Sequence, residues 1–165
     1  MTSHFSLNAA KLYYYSFVYS IISYGIEAWG GILLNQQCTQ TYKKIKTIIN
    51  IIFSHHCPGL NTDDIHKQLS LLKINNIYKY KLMIFFVKMK NNMLPENLQS
   101  QIQLNLNHYS LRNNRELVNI RPRTDSIKHH YEYQMINIWN EIPENIKNIV
   151  PINKFKKEYK KFVLL

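Results

Sequence analysis

Three sets of side chains in this sequence have types and spacing that bear on chemistry: aspartates, a histidine–cysteine string and clustered cations. Nucleotidyl transfer on two metal ions needs carboxylates that hold the ions about 3.5–4 Å apart. Asp63, Asp64 and Asp125 are the only aspartates, and they fall in no such pattern. The tandem pair stands between Thr62 and Ile65, and reads as a helix start with Thr62 or Asp63 as N-cap. His55-His56-Cys57 with His66 matches no common zinc-finger spacing; adjacent histidines point apart on a helix, and Cys38 is distant. Asp125, Glu132 and Glu141 are isolated carboxylates without a nuclease-like cluster. No catalytic residue, metal site or cofactor is expected in the isolated chain, so it is not expected to act as an enzyme by itself.

The cations suggest binding. Lys and Arg number 21 against 10 Asp and Glu, a formal charge of +11 on 165 residues, and such an excess points to a polyanionic partner. Ile- and Asn-rich strings such as Asn145-Ile146-Lys147-Asn148-Ile149 are also what an A/T-rich coding source produces, so lysine number alone does not select that partner. Lys43, Lys44 and Lys46 stand on a segment whose Ile45, Ile48, Ile49 and Ile52 recur at helical spacing. Two readings of these lysines are open: contact with phosphates, which neutralises charge without reading bases, or a solvated face. Arg112, Arg121 and Arg123 lie near His108 and Tyr109, a mix of guanidinium forks and stacking faces suited to single-stranded or structured RNA. Pairing of the arginines with Glu116 or Glu132 is equally open. Lys154, Lys156, Lys157, Lys160 and Lys161 alternate with Phe155, Tyr159 and Phe162, as in an amphipathic cap.

These residues must be positioned by helices. With 45% hydrophobic and 13% aromatic residues the chain can bury a sizeable core and is not disordered. Spacing predicts a first helix over about Leu7–Leu34, broken near Gly25 or Gly30, and a second over about Thr39–His55, stopped by Pro58-Gly59. A short helix follows from Thr62 with Ile65, Leu69 and Leu72 inward, then a central one over Ile74–Asn92. Pro95 and the Gln/Asn-rich residues 96 to 107 mark a surface connection. Residues 108 to 130 lack helical spacing and read as a small irregular hairpin. Tyr131–Glu141 returns to helix, ended by Pro143, and Pro151 opens the last. Residues 12 to 34 approach the length of a membrane span, but five tyrosines, Glu27 and Gly30-Gly31 favour a buried core helix. Trp29 and Trp139 are expected to be core anchors.

Several strings occur in an order that resembles one family. Leu12-Tyr13-Tyr14 leads to Ser23-Tyr24-Gly25-Ile26 and Trp29-Gly30; Lys43-Lys44 with Ile48-Ile49, Leu69, Leu72 and Ile77-Tyr78 follow. Asn92-Met93-Leu94-Pro95, His108-Tyr109-Ser110-Leu111-Arg112, Arg121-Pro122-Arg123-Thr124, Ile138-Trp139-Asn140-Glu141-Ile142-Pro143 and Phe155-Lys156-Lys157 complete the series. Together they resemble the region after the palm in LINE-type, jockey-like non-LTR retrotransposon reverse transcriptases, across nearly the whole chain. The resemblance implies a thumb-like helical region over 1–95 and a nucleic-acid-handling region over 96–165, with a soft boundary that permits one compact unit. The Tyr-Ala-Asp-Asp type of motif, the fingers and the palm are not in the sequence.

The expected fold is therefore mainly α: a thumb-like bundle, the irregular hairpin near 108–130 and a C-terminal amphipathic helix. The expected function is that of a C-terminal fragment of an RNA-directed DNA polymerase, binding primer-template duplex or element RNA without polymerising, while Mg serves the parent enzyme. Expected partners are RNA, DNA and the palm and fingers of that parent, with no membrane. A stand-alone basic module binding nucleic acid or protein is the alternative reading, and a membrane-anchored protein a weaker third. Two separated cysteines and a polar Met1–Asn8 stretch point to a reducing compartment, nuclear or cytoplasmic.

Overall fold

Ser6 opens the first helix by accepting the Ala9 N–H on its Oγ at 3.3 Å, satisfying one of the donors a helix start leaves free. The computed structural model describes residues 6–31, 39–96 and 121–164. After α1 (Leu7–Tyr13) the helix widens into a π-helical stretch, Tyr14–Tyr19, and narrows again into α2 (Ser20–Ser23). Ser20 Oγ donates back to the Ser16 and Phe17 carbonyls, the kind of side-chain competition that loosens a helix. The wide stretch also divides the packing. Ala10 and Tyr14 enter a small core with α4, whereas Ile22 enters a larger one.

Tyr24 leaves the helix in an extended conformation, and Gly25, in the left-handed region at φ 61°, turns the chain into α3 (Ile26–Trp29); a residue without Cβ takes that conformation without strain. The break expected near Gly25 is therefore present. A Cβ on Gly30 would lie 2.2 Å from the Tyr78 ring, and one on Gly31 2.0 Å from the His129 carbonyl oxygen. The two glycines let this segment press against elements far along the chain. Trp29 departs from expectation. It is 38% exposed, and its Nε1 donates to the Tyr24 carbonyl at 3.1 Å, so it staples the turn rather than filling the core.

α4 (Thr39–Phe53) buries Ile49 and Phe53, with Ile45 and Ile52 partly covered. The inward stripe is thus rotated from the one expected: Ile48 is exposed, and so is Ile51, at 67%. Phe53 at the helix end sets the rotation, because its ring, 6.1 Å from that of Tyr14, brings more apolar area inward than Ile48 would. Asn61, in an extended conformation, takes the N-cap position of α5 (Thr62–Leu69) without a side-chain cap bond, and Asp63 and Asp64 stand in the first turn. The N-cap is neither Thr62 nor Asp63. Thr62 is buried, its Oγ1 donating to Asn50 Oδ1 at 2.9 Å.

His66 is also buried, with Nδ1 3.0 Å from the Leu71 carbonyl oxygen. The carbonyl can only accept, so Nδ1 carries the proton. Burial, the largest influence, pulls the pKa below its usual value of 6.5. A depressed folded-state pKa means that the unfolded chain binds the proton first as pH falls. Stability from His66 is expected in full above about pH 6.5 and to decline as pH drops below it. Urea midpoints measured across that range should fall less steeply in His66→Gln; an unchanged pH dependence would contradict the assignment.

α6 (Ile74–Lys90) is the central element. Ile77, Tyr78, Leu82, Met83 and Phe86 are almost completely buried on it, against α3, α8 (Tyr131–Glu141) and α10 (Ile152–Leu164). Asn76 Nδ2 donates to the Val163 carbonyl at 2.9 Å and ties α6 to the end of α10. Trp139 on α8 fills the centre, its ring 4.6 Å from Phe86 and 6.4 Å from Phe155. The large core thus takes side chains from both sides of Pro95. Val18, Tyr19 and Ile45 touch both cores.

The fold is mainly α, and the amphipathic C-terminal helix is present, with Phe155 and Tyr159 inward and Phe162 partly exposed. The expected hairpin is not supported. Residues 108–120 lie outside the described residues, and the described remainder forms a helical turn, α7 (Asp125–Lys128), before α8. Thr124 is extended at its N-cap, Asp125 occupies the first turn, and Lys128 pairs with Asp125 at 2.8 Å. That i,i+3 arrangement favours a helix, and Pro122 has no N–H for a strand ladder. Short α9 (Glu144–Lys147), entered through Pro143, links α8 to α10.

Candidate nucleic-acid interface

Among the described residues, the cations singled out by sequence stand in two separate segments. Lys43 and Lys44 are exposed on α4, on the side opposite Ile45 and Ile49. Lys46 is turned toward α5: its Nζ lies 3.5 Å from Asp63 and 5.0 Å from the centre of the Tyr42 ring. Arg121 and Arg123 are exposed in the non-helical segment ahead of α7, and Arg112 lies outside the described residues, as do His108 and Tyr109.

Asp63, Asp125, Cys57 and His66 are each engaged with a neighbour. Asp63 accepts from Lys73 at 2.6 Å and faces Lys46. The Lys73 hydrogen bond, more than any other influence, holds its carboxyl below the usual range, and Asp63 in turn raises Lys73. About half of the Asp63 side chain is exposed, so the pair contributes roughly 1 kcal/mol at most. Asp125 is bound to Lys128 on a separate element. Cys57 is buried with its Sγ 3.7 Å from Gln68 Oε1, while His66 faces Leu71. Among the described residues no three His, Cys, Asp or Glu side chains gather as a metal site would require, and no helix is long and apolar enough to cross a membrane.

A different set of residues does converge. Between the π-helical stretch, α6 and α10 lies a groove of about 320 Å³ lined by Tyr19, Tyr80, Lys81, Lys88 and Lys156, with Glu27 from α3 on its wall. A second hollow of about 120 Å³ shares Tyr19 and Tyr80 and adds Tyr15 and Lys160. The groove exists because α6 and α10 are joined along their apolar sides. Tyr159 is buried between them, with its ring 6.3 Å from Tyr80 and nearly parallel to it. Lysines flanking those apolar positions are thereby carried to the two adjoining hollows. Lys81 Nζ stands 6.0 Å from the centre of the Tyr19 ring.

The electrostatics of the groove are mixed in a specific way. Burial, then the neighbouring Tyr80, Tyr15 and Glu27, push the Tyr19 phenol up to about 12, and burial raises Tyr15 and Tyr80. All three rings stay neutral at physiological pH and present stacking faces and hydroxyl donors. Four lysines supply positive charge, and Glu27 forms no hydrogen bond or ion pair among the described residues. Spacing in the sequence could not single out this set. Tyr19, Glu27, Lys81, Lys88, Lys156 and Lys160 come from four elements, and only the packing of α6 on α10 makes them neighbours. The single local sign was the cationic alternation of the last helix.

Comparison with known proteins finds no matching family model, no similar curated protein and no similar solved structure.

Proposed function

We propose that the chain binds nucleic acid through the groove between the π-helical stretch, α6 and α10, in the role of the thumb and downstream region of a LINE-type, jockey-like non-LTR reverse transcriptase. The observation that carries the binding reading is the convergence of Lys81, Lys88 and Lys156 on one hollow and of Lys160 and Tyr15 on a second, the two sharing Tyr19 and Tyr80. Ammonium groups along a groove replace the counterions of a phosphate backbone, and neutral aromatic faces hold bases regardless of sequence. The net charge of +11 favours approach of a polyanion from a distance.

The polymerase context is supported by the ordered strings of the sequence and by an apolar surface on the first helices. Leu12, Tyr13, Phe17, Ile21 and Tyr24 are exposed, Tyr24 to 85%, more apolar surface than scattered single residues account for. In the reverse-transcriptase reading that side meets the palm, and the Mg-dependent chemistry belongs to the palm. The stand-alone module draws support from the large core, which takes side chains from the first, central and last helices.

The test is a fluorescence-anisotropy titration of a labelled single-stranded oligonucleotide at several salt concentrations. Four groove lysines on four phosphates correspond to a slope of log K against log salt of about −3. Absence of saturable binding, or affinity indifferent to salt, would overturn the proposal.

A further inference from the structure

The groove contains one group that phosphate binding does not need. Glu27 places a carboxylate among lysines, where it weakens attraction for a phosphate, yet it is not consumed by an ion pair or hydrogen bond among the described residues. An ionised carboxylate only accepts hydrogen bonds, so the ligand group that suits it is a donor. Tyr19 and Tyr80 beside it offer ring faces that are neutral at physiological pH. The hollow they line, about 320 Å³, lies at the small end of the range for ligand sites, roughly 300–1,000 Å³. Lysines, two phenol rings and one carboxylate acceptor lining a single hollow together describe a receptor for a nucleotide whose base carries an amine.

We infer that the groove seats an unpaired nucleotide of a single strand, with a base bearing an exocyclic amino group held between Tyr19 and Tyr80, its amine on Glu27 and the flanking phosphates on Lys81, Lys88 and Lys156. This rests on the nucleic-acid reading above and adds to it a strand type and a base preference. Cytosine and adenine present an amino donor at the edge used for pairing, whereas thymine presents a carbonyl oxygen there. A carboxylate attracts the first two and repels the third. In a duplex the same amines are engaged with the opposite strand, so the site selects single strands by the same contact.

The experiment uses the full chain with labelled oligo(dC), oligo(dT) and a mixed-sequence duplex of equal length at one salt concentration. Oligo(dC) is expected to bind about tenfold more tightly than oligo(dT), the scale of one good base-edge contact, and more tightly than the duplex. Glu27→Gln replaces a carboxylate without a hydrogen bond or ion pair among the described residues by a neutral amide that both donates and accepts. It should reduce the dC-over-dT preference to near unity, mainly by strengthening oligo(dT) binding. Tyr80→Leu should weaken both single strands at least about fivefold through lost stacking, with Tyr80→Phe retaining binding as the control for its packing on Tyr159. Equal affinity of the unaltered protein for the two homopolymers, or a preference that survives Glu27→Gln, overturns the inference while leaving nucleic-acid binding in place. No saturable binding of any of the three overturns the underlying reading as well.

Discussion

Reversing the charge of Lys81, Lys88 and Lys156 together to glutamate is expected to lower affinity for a single-stranded oligonucleotide by about 100-fold or more at 0.1 M salt. Each phosphate contact on a single strand contributes about 0.7 to the salt exponent, so loss of three removes roughly two powers of ten at that concentration. The three carboxylates then add repulsion. The same variant should flatten the salt dependence by about two units of slope, a change that general unfolding does not mimic when circular dichroism is unchanged. Lys43→Glu with Lys44→Glu makes the comparison. Those lysines are exposed on α4, away from the groove, and their reversal should cost less. If the α4 pair proves the more damaging, the interface lies where the sequence alone would put it, and the groove is not the binding site.

The contrast between those two lysine sets marks what could be read from sequence. Lys43, Lys44 and Lys46 stand out because they fall within four residues of a strongly periodic helix, and local spacing is visible in one dimension. The structure places Lys46 on Asp63 and Tyr42, a use that depends on where α5 lies. The groove lysines are individually ordinary. Lys81 and Lys88 flank a nearly all-apolar run, and Lys156 and Lys160 belong to a helix that would look the same as a solvated cap. Their shared address appears only after α6 and α10 pack, together with Tyr19 and Glu27 from much earlier in the chain.

Trp139→Ala is expected to destabilise the protein by about 3–5 kcal/mol, a large part of the roughly 5–15 kcal/mol typical of a folded domain. The ring is 1% exposed, contacts Phe86 and Phe155, and lies under the ammonium groups of Lys90 and Lys147 at 5.3 and 5.8 Å. Its removal leaves a cavity where α6, α8 and α10 meet, and collapse around it is hindered because all three helices are held by other contacts. The melting temperature should fall by about 10 °C, with urea unfolding giving the free energy directly. Trp29→Ala should cost less, about 1–3 kcal/mol, from its hydrogen bond to Tyr24 and its partial burial. Equal losses at the two tryptophans would mean that the core is centred elsewhere.

Helices were legible where apolar period and punctuation agreed. Tyr131–Glu141 is found as expected, Thr39–Phe53 ends two residues before the expected His55, and Ile74–Lys90 two before the expected Asn92. Pro143 and Pro151 precede the helices that follow them. Orientation within a helix was less legible. Five isoleucines on α4 satisfy more than one inward stripe, and Phe53, not their spacing, decides which faces the core. Trp29 failed for a related reason: an apolar neighbourhood in sequence is no guarantee of one in space when a left-handed glycine turns the chain four residues earlier.

The widened stretch Tyr14–Tyr19 sets the angular phase between the two ends of the first helix. An α-helix advances about 100° per residue, and a π-turn absorbs one residue more than an α-turn. Deleting a single residue there would turn the wide turn into an ordinary one and leave α1 and α2 facing as they do now, with the helix shorter by about 1.5 Å. Ala10 would stay directed at the small core and Ile22 at the large one. The stretch therefore takes up one residue of slack between two cores, and tolerance to a one-residue deletion in the first helix should be highest where its backbone is widest.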